Sequence, residues 1–347
     1  MKRFVAVDTG KYATKVALYD EKKDATKRFQ IRTAHCEGDF RDDAVEDNTV
    51  IIQIGDGEVY KVGNGARGIG AELITDKKLD VHRICALTAL ASIASVKEED
   101  EMVVAVLLPA KEWANVGKRE DFREFILPTG KVTAKIKAKG DAPIQTKTFT
   151  IKKKYVFPES MGALFMDETI ARVSPTSVMG VLDIGNLNLN ATLWQGKDLV
   201  QDSSLTADLG GSILISELAQ EISTNVTTCN EMIAAIILKT GELPTGMNVS
   251  AEQRDAILKI VAKVKKQHAE KVKRNCHSKN WSLDLMGIVA IGGTSKDIEA
   301  ELKSVFGENL VVLANSEYVN VLGALRMMCA REFDKLVNIE MPKVTIA

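Results

Sequence analysis

The stretch "VLDIGNLNLNATLW" (Val181–Trp194) runs an apolar strand pattern into Asp183 and Gly185. It then crosses three amides (Asn186, Asn188, Asn190) and resumes as Ala-Thr-Leu-Trp. A second copy of the pattern opens the chain. Set over the first, "AVDTGKYATKVALY" (Ala6–Tyr19) places Asp8 on Asp183, Gly10 on Gly185, Leu18 on Leu193 and Tyr19 on Trp194. Each copy reads strand, Asp-x-Gly, polar turn, strand, and each begins one half of the chain. This internal repeat predicts two similar α/β lobes, with their Asp-x-Gly turns opposite each other across a cleft.

Length and composition agree with that plan. At 347 residues the chain exceeds one ordinary hydrophobic core. Charged residues make up 27% and hydrophobic ones 45%, the balance of a globular protein. The net charge of −1, with acids and bases interspersed, argues against direct binding of nucleic acid. No run approaches 18 apolar residues, so no membrane span is expected. The opening "MKRFVAVDTGKYATK" is too short in apolar residues for a signal peptide and is expected to enter a strand directly. Five scattered cysteines (Cys36, Cys85, Cys229, Cys276, Cys329) without a Cys-x-x-Cys pair fit a reduced, cytoplasmic setting. Cys276-His277 lacks a second ligand pair at zinc spacing and reads as ordinary sequence.

Between the repeats, "NTVIIQIGDGEVYKVG" (Asn48–Gly63) reads as a hairpin around Asp56-Gly57. "DVHRICALTALASIASV" has helical periodicity, "EMVVAVLLPA" (Glu101–Ala110) is a buried strand of the parallel kind, and "KREDFREFIL" is a short amphipathic helix. "KVTAKIKAKG" and "QTKTFTIKKKYVFP" alternate like paired strands, and their lysine face reads as solvated edge protection. "ESMGALFMDETIA" reads as a helix with Glu159 and Ser160 in its first turn. "GGSILISELAQEIS" is helical, and "NEMIAAIILKT" is a helix stopped by Gly241. Ser250–Asn275 reads as a long amphipathic helix with Ser250 and Gln253 as a capping box. "LMGIVAIGGTSKDIEAELKSVFG" reads strand, Gly-Gly turn, helix, and "LVVLANSEYVNVLGALRMMCAREF" reads strand, loop, helix.

Four motifs carry chemistry. In each repeat the glycine lets backbone approach a ligand, the following N–H groups suit an anion, and the aspartate at a strand end suits magnesium with its waters. Lys11 or Lys15 can add a point charge to a phosphate. "AIGGTS" (Ala290–Ser295) offers glycines against which a flat base or ribose can lie, although such turns also serve packing alone. Glu159, in "FPESMGAL", can polarise an attacking water, or serve only as a helix-start acid.

Taken together and in this order, the motifs resemble those of the superfamily of actin, heat-shock ATPases and sugar kinases: first phosphate hairpin, connecting helix, second phosphate hairpin, adenosine motif. "NSEYVNVLGALRMM", with Gly323-Ala324 as a crossing point, resembles the second connecting helix. Within the superfamily the chain resembles the bacterial actin-like proteins of the ParM type, through "VLLPAKEW", "KREDFREFIL", "FPESMGAL", "VLDIGNLNLN" and the long helix ahead of "VAIGGTS". The resemblance implies an actin-like (ribonuclease H-like) duplicated α/β fold with two lobes around a nucleotide cleft. It places lobe I at 1–157 plus 325–347 and lobe II at 158–324.

The same resemblance implies roles for particular residues. Asp8 and Asp183 would organise Mg²⁺, while Thr9, Gly10, Lys11 and Lys15 would hold phosphates. Gly185 and Asn186 would close over the phosphates and Asn188 or Asn190 would position water or the Mg²⁺ hydration, with Glu159, Asp183 and Asp8 as the catalytic acids. Gly292, Gly293 and Thr294 would flank ribose and base, and Gly210 and Gly211 of "DLGGS" would touch the nucleoside. Lys271 and Arg274 on the long helix would line the base, unless they form a solvated face. Many superfamily members carry threonine and acid where this chain has Asn186, Asn188 and Asn190, so binding rather than catalysis is expected of the amides.

The function implied is a Mg-dependent ATPase, or GTPase, that polymerises with itself into cytomotive filaments for plasmid segregation through a DNA-binding adaptor. Loss of the γ-phosphate would loosen lobe closure and the filament contact. The alternatives are a small-molecule kinase, with Asp208 as the acceptor-binding carboxylate, or an ATPase scaffold that forms no filament.

Overall fold

The computed structural model describes residues 1–21, 25–42, 46–67, 69–70, 77–138 and 142–333. By internal contacts the chain divides into one unit of Met1–Met166 with Asn320–Ala347 and another of Asp167–Val319. The last residues assigned above to lobe I, 334–347, and the final Lys139-Gly140 of "KVTAKIKAKG" lie outside the described residues.

In the first unit the chain runs β1 (Lys2–Thr9), β2 (Ala13–Asp20), β3 (Ala25–Arg32), β4 (Ala34–Glu37), β5 (Thr49–Ile54), β6 (Val59–Gly63), β7 (Ile69–Gly70) and α1 (Asp80–Ile93). It continues through β8 (Asp100–Leu108), α2 (Ala110–Trp113), α3 (Val116–Ile126), β9 (Gly130–Lys137) and β10 (Gln145–Pro158) to a 3₁₀ turn at Met161–Phe165. The second unit holds α4 (Asp167–Ile170), β11 (Val178–Ile184), β12 (Leu189–Gln195), β13 (Asp198–Leu199), β14 (Leu205–Ala207), α5 (Gly211–Asn225), α6 (Glu231–Thr240) and α7 (Ala251–His277). After these come β15 (Gly287–Ile291), α8 (Gly293–Asp297), α9 (Glu299–Phe306) and β16 (Leu310–Val312). The last helix, α10 (Val319–Phe333), rejoins the first unit from Asn320 onward.

Among the described residues the first unit forms a sheet in the order β3-β2-β1-β8-β10-β9-β5-β6-β4-β7, and the second one in the order β13-β12-β11-β15-β16, with β14 beside β12. The repeat read from the sequence is a repeat of topology. In each unit the first strand has an antiparallel hairpin partner on one side and two successive parallel strands on the other. Even the register recurs: Asp8 stands opposite Lys15 and Thr9 opposite Thr14, as Asp183 stands opposite Asn190 and Ile184 opposite Leu189. A one-residue slip would reverse every side chain, so each aspartate holds the same register position within its own hairpin.

The all-apolar run of β8 is explained by its two parallel neighbours, which leave it buried from Met102 to Leu108. Successive residues of β1 serve opposite faces. Val5 and Val7 join the core that includes Val81, Cys85 and Leu90 of α1. Phe4 meets the ring of Phe333 on α10, centroids 4.6 Å apart. In the second unit Leu182 and Ile184 of β11 pack with Leu214 and Leu218 of α5 and with Val261, Val264 and Val272 of α7. Ser250 and Gln253 form the expected capping box of α7, and Gly241 ends α6 in the left-handed conformation at φ 72°. Each satisfies backbone groups that a helix end leaves open.

Two expectations are corrected. β10 lies between β8 and β9 and is no edge strand, so its lysines do not guard an edge. Lys152 and Lys153 project into solvent, whereas Lys147 is buried and donates to Ser92 O at 3.1 Å; on β9, Lys137 is buried and donates to Phe40 O and Asp42 O at 2.9 Å. The segment after Pro158 is not a helix that starts at Glu159. Ser160 turns the chain at φ 72°, and a 3₁₀ turn and the single-turn α4 follow.

The five cysteines are free thiols, four of them buried. Among the described residues no helix is long and apolar enough to cross a membrane.

Candidate functional site

In the first unit, Asp8 lies at the end of β1 and is buried, as is Thr9 beside it. Gly10 makes the turn: a Cβ there would stand 2.8 Å from Ala13 O. Lys11, in the turn, and Lys15, across the hairpin from Asp8, are partly exposed. Glu159 follows β10, and its N–H donates to Leu108 O at 2.8 Å, extending the parallel pairing of β10 with β8 by one bond. The strand order β1-β8-β10 thus carries Asp8 and Glu159 to the same ends of their strands, with one strand between them.

A buried lysine joins them. Lys77 Nζ donates to Asp8 Oδ1 at 3.2 Å and to Glu159 Oε1. Burial pulls its pKa down, but the charges of Glu159 and Asp8 and their hydrogen bonds outweigh that and hold it well above the usual lysine value. Lys77 escaped the sequence reading because "TDKKLD" looks like a solvated approach to a helix. Ser160 escaped it too. Its positive φ is secured by Asn320, whose Oδ1 accepts from Ser160 N at 2.9 Å, and its buried hydroxyl has no hydrogen-bond partner. Strained residues and orphaned buried hydroxyls of this kind cluster at functional sites.

In the second unit three glycine motifs pack onto one turn. Gly185 O accepts from Thr294 Oγ1 at 2.8 Å and from Gly211 N at 3.0 Å, while Asn186 O accepts from Ser212 N at 2.7 Å. The first N–H groups of α5 are therefore taken by the second hairpin. A Cβ on Gly210 would stand 2.3 Å from Leu187 C, and one on Gly211 2.6 Å from Thr294 Oγ1. Gly292 has φ 90°, and a Cβ there would meet Ile184 O at 2.4 Å and Asp183 Oδ1 at 2.8 Å. Chain packing alone accounts for these three glycines. Gly293 differs, because a Cβ there would meet nothing within 4 Å. It leaves open space one residue after Gly292, whose own Cβ would meet Asp183.

Of the amides, Asn190 Oδ1 accepts from Thr206 Oγ1 at 2.9 Å, a bond to the neighbouring strand β14. Asn186 and Asn188 remain in the turn, partly exposed. Lys271 is engaged by Glu217 of α5, and Arg274 is exposed. His268, also on α7, is fully buried and bonds through Nε2 to Leu209 O at 3.2 Å, just ahead of Gly210. Burial lowers its pKa. A buried histidine inside a lysine-rich helix gave no sign of this role in the sequence.

Magnesium suits the first unit. It takes oxygen ligands, keeps several waters and is commonly held by one or two carboxylates with substrate phosphates. Asp8 is a carboxylate of that kind, buried and already holding a cation, the ammonium of Lys77. Among the described residues no cluster of three or more acids, histidines or cysteines could hold a metal ion.

Residues 6–162 match the family model of the actin-like proteins N-terminal domain. No curated protein matches the sequence. An Alp12 filament structure superimposes with a TM-score of 0.70 at 19% identity, over 95% of this chain and 99% of that one. The apo ParM protein of pSK41 gives 0.71 at 17%, over 96% and 98%. A 15-stranded ParM filament from Clostridium botulinum gives 0.66 at 16%, over 96% and 99%. The likeness covers nearly the whole chain and shows the actin-like fold of these structures, and residues 6–162 also match the N-terminal domain of the actin-like proteins.

Proposed function

We propose that this protein is a magnesium-dependent nucleoside triphosphatase that polymerises with its nucleotide bound. The observation that carries the reading is the pair of Asp-x-Gly hairpins in identical register, one beside a buried glutamate and the other beside the open face of Gly293. Asp8 and Asp183 would hold the metal and its waters, and the metal would neutralise charge on the phosphates. The backbone N–H groups of Gly10 and Lys11, with the ammonium of Lys15, suit phosphate oxygens. Asn186 and Asn188 can donate to the same oxygens without adding charge. Glu159 would orient and deprotonate a water. Gly293, with Thr294 fixed on Gly185 O, gives a base or ribose a flat surface.

Assembly is supported by two of the similar structures, which are filaments. On this reading the partner is a second copy of the chain, and plasmid segregation through a DNA-binding adaptor is the cellular task. The setting is cytoplasmic, with ATP or GTP as the nucleotide. Light scattering and negative-stain microscopy with Mg-ATP, Mg-GTP and Mg-ADP test it: triphosphate-dependent filaments are expected. A chain that stays monomeric at tens of micromolar (roughly the range in which filament proteins assemble) would sink the assembly half. The chemical half is tested separately by Glu159→Gln, which should slow phosphate release by about 10²–10⁴-fold while leaving nucleotide bound.

A further inference from the structure

Lys77 places a monovalent cation on the acids that the nucleotide reading assigns to the metal and the water. Asp8 and Glu159 share this one ammonium, and all three side chains are buried. Two carboxylates are thus held against one ammonium in a largely buried setting. A divalent ion drawn to Asp8 would come close to Nζ, and like charges at such distances in a buried setting repel strongly. The two cations therefore compete for Asp8. Lys77 stands three residues before α1, and a lysine stem has enough rotatable bonds to withdraw its ammonium while the helix stays in place.

We propose that Lys77 is a displaceable internal counter-ion, which offsets part of the charge of Asp8 and Glu159 in the metal-free protein and must leave Asp8 before a divalent cation loads. Lys77 would thus set the divalent concentration at which the site fills, and would keep the two acids from repelling each other while the site waits. The inference rests on Asp8 being a metal-facing carboxylate, as proposed above.

Its test is Mn²⁺ binding by the full chain, followed by electron paramagnetic resonance at about pH 8, where carboxylates are ionised. Lys77→Met should bind Mn²⁺ about tenfold or more tightly than the wild type, a coupling of ordinary size for competing ligands. Lys77→Arg, which keeps the charge, should bind like the wild type. Equal or weaker Mn²⁺ binding by Lys77→Met overturns the proposal. Should Lys77→Met fail to fold, lysine-selective NMR of the wild type decides: Mg²⁺ should shift the signal of the buried ammonium, and an unmoved signal overturns the idea. Binding of a fluorescent ADP analogue to the wild type, measured in parallel, keeps the two readings apart. Its absence would remove the nucleotide function, whereas the Mn²⁺ comparison uses the metal alone.

Discussion

Gly323 of α10 lies directly against Gly162 of the 3₁₀ turn: a Cβ on Gly323 would stand 2.2 Å from Gly162 Cα and 2.3 Å from its carbonyl oxygen. Two chain segments far apart in sequence cross there backbone to backbone. Nearby, Asn320 Oδ1 accepts from Ser160 N and Arg326 donates to Phe165 O, so the crossing also holds the turn that follows Glu159. Gly323→Ala should therefore cost about 1–3 kcal/mol by overpacking, read as a lowered midpoint in urea unfolding. Because the displaced turn adjoins Glu159, phosphate release should slow more than nucleotide affinity falls.

The adjacent glycines of "AIGGTS" should respond differently. Gly292→Ala meets backbone at 2.4 Å and needs a positive φ, so a loss of at least about 1–3 kcal/mol is expected, with Asp183 pushed out of place. Gly293→Ala has open space and should leave stability within about 0.5 kcal/mol. Its effect should fall on nucleotide affinity, measured by titration calorimetry. Unchanged affinity in a stable Gly293→Ala protein would mean that the nucleoside lies elsewhere.

The amides of the second hairpin divide in the same manner. Asn190→Ala removes the bond from Thr206 and should cost about 0.5–1.5 kcal/mol of stability with little change in nucleotide binding. Asn188→Ala, at a partly exposed turn position, should do the reverse. Thermal melts with and without ADP separate the two outcomes.

His268 gives the second unit a pH dependence of definite sign. Its folded pKa lies below the ordinary 6.5 because burial disfavours the charged ring; the Leu209 carbonyl and Glu217 oppose that shift, and Lys271 adds to it. The unfolded chain therefore takes up the proton more readily. This group's contribution is intact above about pH 6.5 and is lost as the pH falls toward the folded value. His268→Gln keeps a donor for Leu209 O and removes the titration. Its urea midpoint should accordingly fall less than that of the wild type between about pH 7 and 5. His35 of the first unit, lowered by burial against the pull of Asp80, adds a similar slope that the variant leaves in place.

Much of this protein is written locally. Alternating and continuous apolar runs, the Asp-x-Gly turns, the capping box at Ser250 and the stop at Gly241 depend on neighbours a few residues away, and each forms as its pattern predicts. The duplication was legible for the same reason, since both hairpins repeat a short motif in one register. What lay beyond local pattern was every relationship that joins distant segments. A lysine in "TDKKLD" carries no mark that two carboxylates, 69 and 82 residues away, will close on it in the folded chain. Nor do the lysines of β10 reveal that β8 and β9 flank the strand and remove it from the edge. Glu159 looked like the start of a helix because its neighbours suit one, and tertiary pairing of β10 with β8 overrode that preference. Periodicity reports which way a side chain faces, but only the packed chain decides what it faces.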